Sequence, residues 1–316
     1  MFSEKVIKRE SGILLYGITP PKAKTSEERI QEISQKTIDR VKTLNVDALV
    51  VYDLQDESSR NSNERPFPFF PTLEADFFVS QYLNTLSIPK IIYRSVGKCS
   101  KEELISKIEN TPHPTVFVGA PSALNHTHIK LPEAYNIWKE LKCNNLLGGV
   151  AIPERHFKQE EHLRILSKMN NGCSFFITQC VYNIELVKNM LSDLYYHCLQ
   201  NNIQLPTLIF TLTTCGSIKT LRFLDWLGIH VPTWLQNELY HCEDILGKSI
   251  DLNLEIAREI ISFCASKKIP FGFNIESVSI NKAEIEASEI LLVKVAEMLK
   301  PHRKVRELSF AESILK

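Results

Sequence analysis

The sequence predicts an α/β fold, a (β/α)8 or TIM barrel formed by a single domain, and three observations predict it. Short β-branched apolar runs recur eight times along 316 residues. Amphipathic stretches lie between them. No Gly-x-Gly-x-x-Gly follows the first run, which removes the strongest motif for an open dinucleotide-binding sheet. Apolar strands alternating with helices call for a parallel sheet covered on both faces, and eight such units over about 300 residues favour closure into a barrel. The expected unit spans residues 1–316, with the barrel core at about 12–299 and a C-terminal tail at 300–316.

In chain order the expected strands are Gly12–Gly17, Ala48–Tyr52, Lys90–Tyr93, Thr115–Gly119, Leu147–Ile152, Phe175–Gln179, Thr207–Thr211 and Ile269–Asn274. Ser26–Leu44 reads as the first covering helix. Ile30, Ile33, Ile38 and Val41 share one face, and Ser26 followed by Glu27 and Glu28 makes a capped, acidic start. Lys101–Ile108, Glu160–Met169 and Ile184–Gln200 follow the same pattern. The long interval from Thr211 to Ile269 is expected to hold two helices, Ile218–Leu227 and Leu252–Ser266, with Ile229–Ile245 connecting them. The tail, with Lys300, Arg303, Lys304 and Arg306, reads as a solvated helix end.

Composition excludes several classes of function. Lys plus Arg and Asp plus Glu number 37 each, so no net field attracts nucleic acid or an anionic membrane. No apolar run approaches the ~20 residues of a spanning helix. Met1–Glu10 carries five charges and no signal-peptide core, so the expected compartment is cytoplasmic. The eight cysteines form no Cys-x-x-Cys pair and no histidine stands at finger spacing, so no metal is expected and the thiols read as reduced. The sequence leaves a monomer and a homo-oligomer equally open.

Barrel enzymes carry their chemistry at the C-terminal ends of the strands. Those ends hold Asp53, Asp56, Glu57, Ser59, Arg60, Asn61 and Arg65 after the second strand, and Arg94 after the third. Ala120-Pro121-Ser122 follows the fourth, and Glu154-Arg155-His156 the fifth. Gln179 ends the sixth strand and Glu276 follows the eighth. The acids and arginines suit a solvated rim as well as a site. Gln179 points more firmly to function, because an amide ending an apolar strand needs a partner.

These residues also carry a resemblance. Phe175-Phe176-Ile177-Thr178-Gln179, Thr19-Pro20-Pro21-Lys22, Val150-Ala151-Ile152-Pro153-Glu154, Val231-Pro232-Thr233-Trp234-Leu235 and Asn281-Lys282-Ala283-Glu284 resemble motifs of the methylenetetrahydrofolate reductase family, in that family's order. The resemblance implies reduction of 5,10-methylenetetrahydrofolate to 5-methyltetrahydrofolate by NADH or NADPH through FAD. It implies folate contacts at Gln179, Thr178 and Glu154, and cofactor contacts at Lys168, Glu161, Tyr93, Gly119 and His156. Arg94, at the mouth, suits a folate tail or a nucleotide phosphate, with pairing to a neighbouring acid as the alternative.

The sequence departs from the family at four places. Gly17 stands where the family's first strand ends in a proton-donating Glu, and Ala120 where an Asp lies near the flavin ring. Tyr93 replaces a His and Ile152 a Tyr. Strands two and eight flank the first in a barrel, so Glu57 and Glu276 are the expected substitutes for the missing acid. Two other readings stay open: a folate-dependent one-carbon transferase in which no hydride moves, and a non-catalytic paralogue that binds folate or a partner.

Overall fold

In the computed structural model, which describes residues 2–58, 63–120 and 128–303, eight parallel strands close on themselves in chain order. They are β1 (Ile13–Ile18), β2 (Ala48–Val51), β3 (Lys90–Ser95), β4 (Thr115–Val118), β5 (Leu147–Ala151), β6 (Cys173–Cys180), β7 (Thr207–Thr213) and β8 (Phe271–Glu276). The helices are α1 (Phe2–Ile7), α2 (Glu27–Thr43), α3 (Ala75–Tyr82), α4 (Lys101–Glu109), α5 (Leu131–Leu141), α6 (Glu161–Asn170), α7 (Ile184–Gln200), α8 (Ile218–Trp226), α9 (Thr233–Tyr240), α10 (Ile245–Ser266) and α11 (Lys282–Leu299). The expected barrel is present, and each expected strand coincides with an observed one to within two residues or so.

Alternation along the strands separates two cores. Ile13, Leu15, Ala48, Val50, Ile91, Val116, Phe175, Ile177 and Ile209 fill the barrel. The opposite faces, including Leu14, Leu49, Val51, Ile92, Phe117, Phe176 and Phe210, pack beneath the helices. Gly148 shows how tightly the interior is filled: a Cβ there would lie 2.4 Å from the Phe175 ring. Five helices that the sequence does not announce complete the structure among the described residues, namely α1, α3, α5, α9 and α11. The first of these closes the N-terminal end of the barrel. Phe2 and Val6, one turn apart, enter the interior core, and the Phe2 ring meets Phe175 edge-on at 5.2 Å.

Two expectations are corrected. The interval between β7 and β8 holds three helices, because Thr233–Tyr240 forms α9 and buries Leu235 and Leu239. Arg303 is not a solvated helix end: its Nε donates to the Gly12 carbonyl at 3.0 Å. Lys304 and Arg306 lie outside the described residues, as do Ser59, Arg60, Asn61, Pro121 and Ser122. All eight cysteines are free. Among the described residues, no helix is long and apolar enough to cross a membrane.

Candidate functional site

The parallel register sets Gly17 of β1 beside Glu276 of β8. A Cβ at Gly17 would lie 3.1 Å from both Cβ and Oε2 of Glu276 and 3.0 Å from the Tyr52 ring. The niche left by the glycine is thus occupied by a carboxyl group from the next strand. Glu276 is only 9% exposed. Cys180 Sγ donates to its Oε1 at 3.2 Å, and Asn274 Nδ2 reaches its Oε2 at 3.4 Å. Tyr52 also bonds to this carboxyl, and Asn274 Nδ2 donates to the Tyr52 hydroxyl at 2.8 Å. Burial outweighs these donors and raises the Glu276 pKa, favouring the neutral acid. Tyr93 packs edge-on against Tyr52 at 4.7 Å and extends this cluster toward β3.

A strap runs between the loops on this side of the barrel. From the β2 side, residues 63–74 reach α8, where Trp226 Nε1 donates to the Asn63 carbonyl at 3.0 Å and Phe67 meets Phe223 edge-on. The strap then returns to the β1 loop, where Leu73 N donates to Pro21 O at 2.9 Å. It therefore links α8 to the loop after β1. Arg65 of the strap lies among Phe69, Phe223 and Trp226, and its Nε and Nη1 are buried without an acceptor.

The other expected residues divide between the rim and the outer wall. Gln179 is half-buried at the end of β6 and makes no side-chain hydrogen bond among the described residues. Glu154, beyond β5, accepts from His230 N at 3.3 Å through Oε1, while Oε2 is buried without a partner. Burial lifts its pKa to about 7. Thr178 is committed to β7: its Oγ1 accepts from Thr211 N at 3.0 Å, beside the irregular register of the two strands. The Gly119 carbonyl accepts from Gln55 Nε2 at 3.1 Å. Asp53 accepts from Ser95 N and Lys98, while Glu57 lies in the same loop and acts on the charge of Arg65.

Four expected contacts lie away from the interior of the mouth. Arg94 alternates with the inward Tyr93, so its side chain runs outward and forks onto Asp76 of α3. Lys168 lies against the outward face of Gly149 and donates to the Val150 carbonyl. Glu161, with no exposed surface, accepts from Ile152 N at 2.9 Å. His156 turns toward α7, where its Nε2 lies 3.1 Å from Asp193 Oδ2.

A solved structure of an uncharacterized protein from Clostridium thermocellum that binds two copies of 5-methyl-5,6,7,8-tetrahydrofolic acid is 48% identical to this sequence. The match covers 94% of this chain and 100% of that one, with a TM-score of 0.83. The chain belongs to the family of this Clostridium thermocellum protein. Dihydropteroate synthases from Vibrio fischeri (9% identity, 94% and 96% coverage, TM-score 0.47) and Xanthomonas albilineans (10%, 92% and 94%, 0.46) also match. No family model and no curated protein matches the sequence.

Several features of the site are not announced by the sequence. Cys180 and Asn274 hold Glu276, yet both read in sequence as ordinary strand residues. Glu154 is engaged with His230, 76 residues away. His162 approaches His156 with ring centroids 5.5 Å apart, although no finger-like spacing announces the pair.

Proposed function

We propose that this protein binds a reduced folate at the C-terminal mouth of its barrel. The observation that carries this reading is the Glu276 carboxyl seated in the Gly17 niche, buried and biased toward its neutral form. Such a group donates a hydrogen bond to a pterin nitrogen, as an ionised carboxylate cannot. The half-buried amide of Gln179 supplies a donor and an acceptor for the pterin's own amide edge. Arg65, with two buried N–H groups lacking acceptors, suits the carboxylates of a folate tail. The bound methyltetrahydrofolate in the Clostridium thermocellum relative supports the same ligand class.

The finer reading is reduction of methylenetetrahydrofolate with NADH or NADPH. Glu276 would then take the place of the first-strand acid and protonate the folate nitrogen as the ring opens. Three of the five residues carried over for FAD lie away from the interior of the mouth. Lys168 Nζ donates to the Val150 carbonyl, Glu161 Oε1 accepts from Ile152 N, and His156 faces α7, whereas Tyr93 and Gly119 stay at the mouth. Non-catalytic binding is the second reading, favoured by the ligand of the relative, a folate whose one-carbon unit is already fully reduced.

Titration of the purified protein with 5-methyltetrahydrofolate tests the binding, and saturable binding weakened in Glu276→Gln is expected. No binding by the wild-type protein removes the proposal. NADH or NADPH absorbance in the presence of methylenetetrahydrofolate then separates the readings. Nucleotide consumption marks the reductase, folate consumption without it marks one-carbon transfer, and neither marks the binding protein.

A further inference from the structure

We propose that His156, His162, Asp193 and His197 form a binding site for a divalent transition-metal ion of the zinc class, on the outer wall of the barrel. The four residues come from three elements that are separate in sequence. His156 lies in the 3-10 turn Pro153–Lys158, His162 in the first turn of α6, and Asp193 and His197 one helical turn apart on α7. Potential ligand atoms of His156, His162 and Asp193 all lie within 4.8 Å of one another. The His197 ring is 6.3 Å from that of His162.

Burial makes this more than a surface cluster. His156 is 3% exposed, and its Nδ1 is buried without a hydrogen-bond partner. Nδ1 of His162 is likewise buried and unpartnered. A buried imidazole nitrogen left unpaired forfeits the hydrogen bond that water would give it. A shared metal ion would satisfy such nitrogens together, because each neutral imidazole offers a lone pair.

The donor set selects the ion. Three imidazoles and one carboxylate match zinc and its first-row neighbours, whereas calcium and magnesium take oxygen ligands. Metal–nitrogen bonds of about 2.0–2.1 Å place tetrahedral ligands roughly 3.4 Å apart. The ligand atoms of His156, His162 and Asp193 must therefore close in by about 1–1.5 Å, which rotation of the exposed Asp193 and the half-buried His162 allows. The half-buried His197 must swing in from farther away to complete the set. Four protein ligands leave no open position, so the site is structural. Bound metal would fasten the turn that carries Glu154 to α6 and α7, without touching the interior of the mouth.

Zinc and cobalt titrations of the full-length protein, stripped beforehand with a chelator, test the site. Competition against a chromophoric chelator should give one zinc per chain, and cobalt should produce the intense visible bands of a tetrahedral nitrogen and oxygen environment. His162→Ala should weaken zinc by more than about 100-fold, beyond the loss typical of outer-shell changes. Asp193→Asn, on an exposed side chain, keeps the test available if the histidine variant does not fold, and should also abolish the cobalt bands. The proposal is overturned if wild-type protein binds no stoichiometric zinc, or if Asp193→Asn and His162→Ala bind it as tightly as wild type.

Discussion

Gly17 and Glu276 are register partners on β1 and β8, and the Glu276 carboxyl fills the space that a side chain at residue 17 would need. The two positions therefore form one unit: the absence of a side chain on one strand is what allows an acid on its neighbour. Donors converge on the acid from three strands: Cys180 of β6, Asn274 of β8 itself and Tyr52 just beyond β2.

Gly17→Glu should place two carboxyl groups in one niche and lower stability by about 1–3 kcal/mol, the usual cost of overfilling a packed site. Combining it with Glu276→Gly should recover most of the loss, since the pair then merely exchanges places. Urea denaturation of the two single variants and the double variant checks this. Additive losses would show that the two positions are not coupled.

Glu154 gives a signed pH dependence. Its folded-state pKa of about 7 lies above its ordinary value of 4.5, so the folded protein holds the proton more tightly than the unfolded chain. The associated stability is complete below about pH 4.5 and is lost as pH rises toward 7. Glu154→Gln should remove that slope and leave the protein more stable than wild type above pH 7, by about 3.5 kcal/mol at most. Melting temperatures of both proteins between pH 5 and 8 measure it. Parallel wild-type and variant curves would place the titration elsewhere.

Arg94 is expected to matter for stability and not for ligand. Its side chain is 2% exposed, and it is paired with Asp76, which is 27% exposed. Removing one member of a fully buried pair costs about 3–5 kcal/mol, and partial hydration of Asp76 should reduce that to about 2–3 kcal/mol. Arg94→Met should therefore lower the midpoint of denaturation while the folded protein keeps its affinity for 5-methyltetrahydrofolate. A large loss of affinity at unchanged stability would return Arg94 to the binding site.

What was legible in the sequence follows from the range of each interaction. The strands were, because β-branched runs such as Ala48–Val51 carry their own pattern, and α2 was, because Ser26 accepts from Arg29 N as its capping position implies. The α1 helix was not recognised: a six-residue segment shows too little periodicity, although Phe2 and Val6 stand one turn apart. At the site, the rim position of Gln179 and the acid on β8 were read correctly as positions, from strand ends alone. The directions of Arg94, Lys168 and His156 were not, because alternation and the packing of α3, α6 and α7 decide which way such side chains turn. Contacts such as Cys180 with Glu276, across the barrel wall, exist only once the sheet closes.

Gln179 separates binding from folding most cleanly. It is half-buried at the mouth and makes no side-chain hydrogen bond among the described residues, so the folded state draws little stability from its amide. Gln179→Leu keeps the volume and removes both donor and acceptor. If the amide meets the pterin, the variant should lose about tenfold or more in affinity for 5-methyltetrahydrofolate, the worth of about one hydrogen bond left unmade in a desolvated site. Its melting temperature should stay within about 1–2 °C of wild type, as expected for a change of less than about 0.5 kcal/mol. Calorimetric titration and thermal denaturation of the same preparation read both quantities. Unchanged affinity would move the pterin away from the end of β6, whereas a lower melting temperature with unchanged affinity would make Gln179 a packing residue.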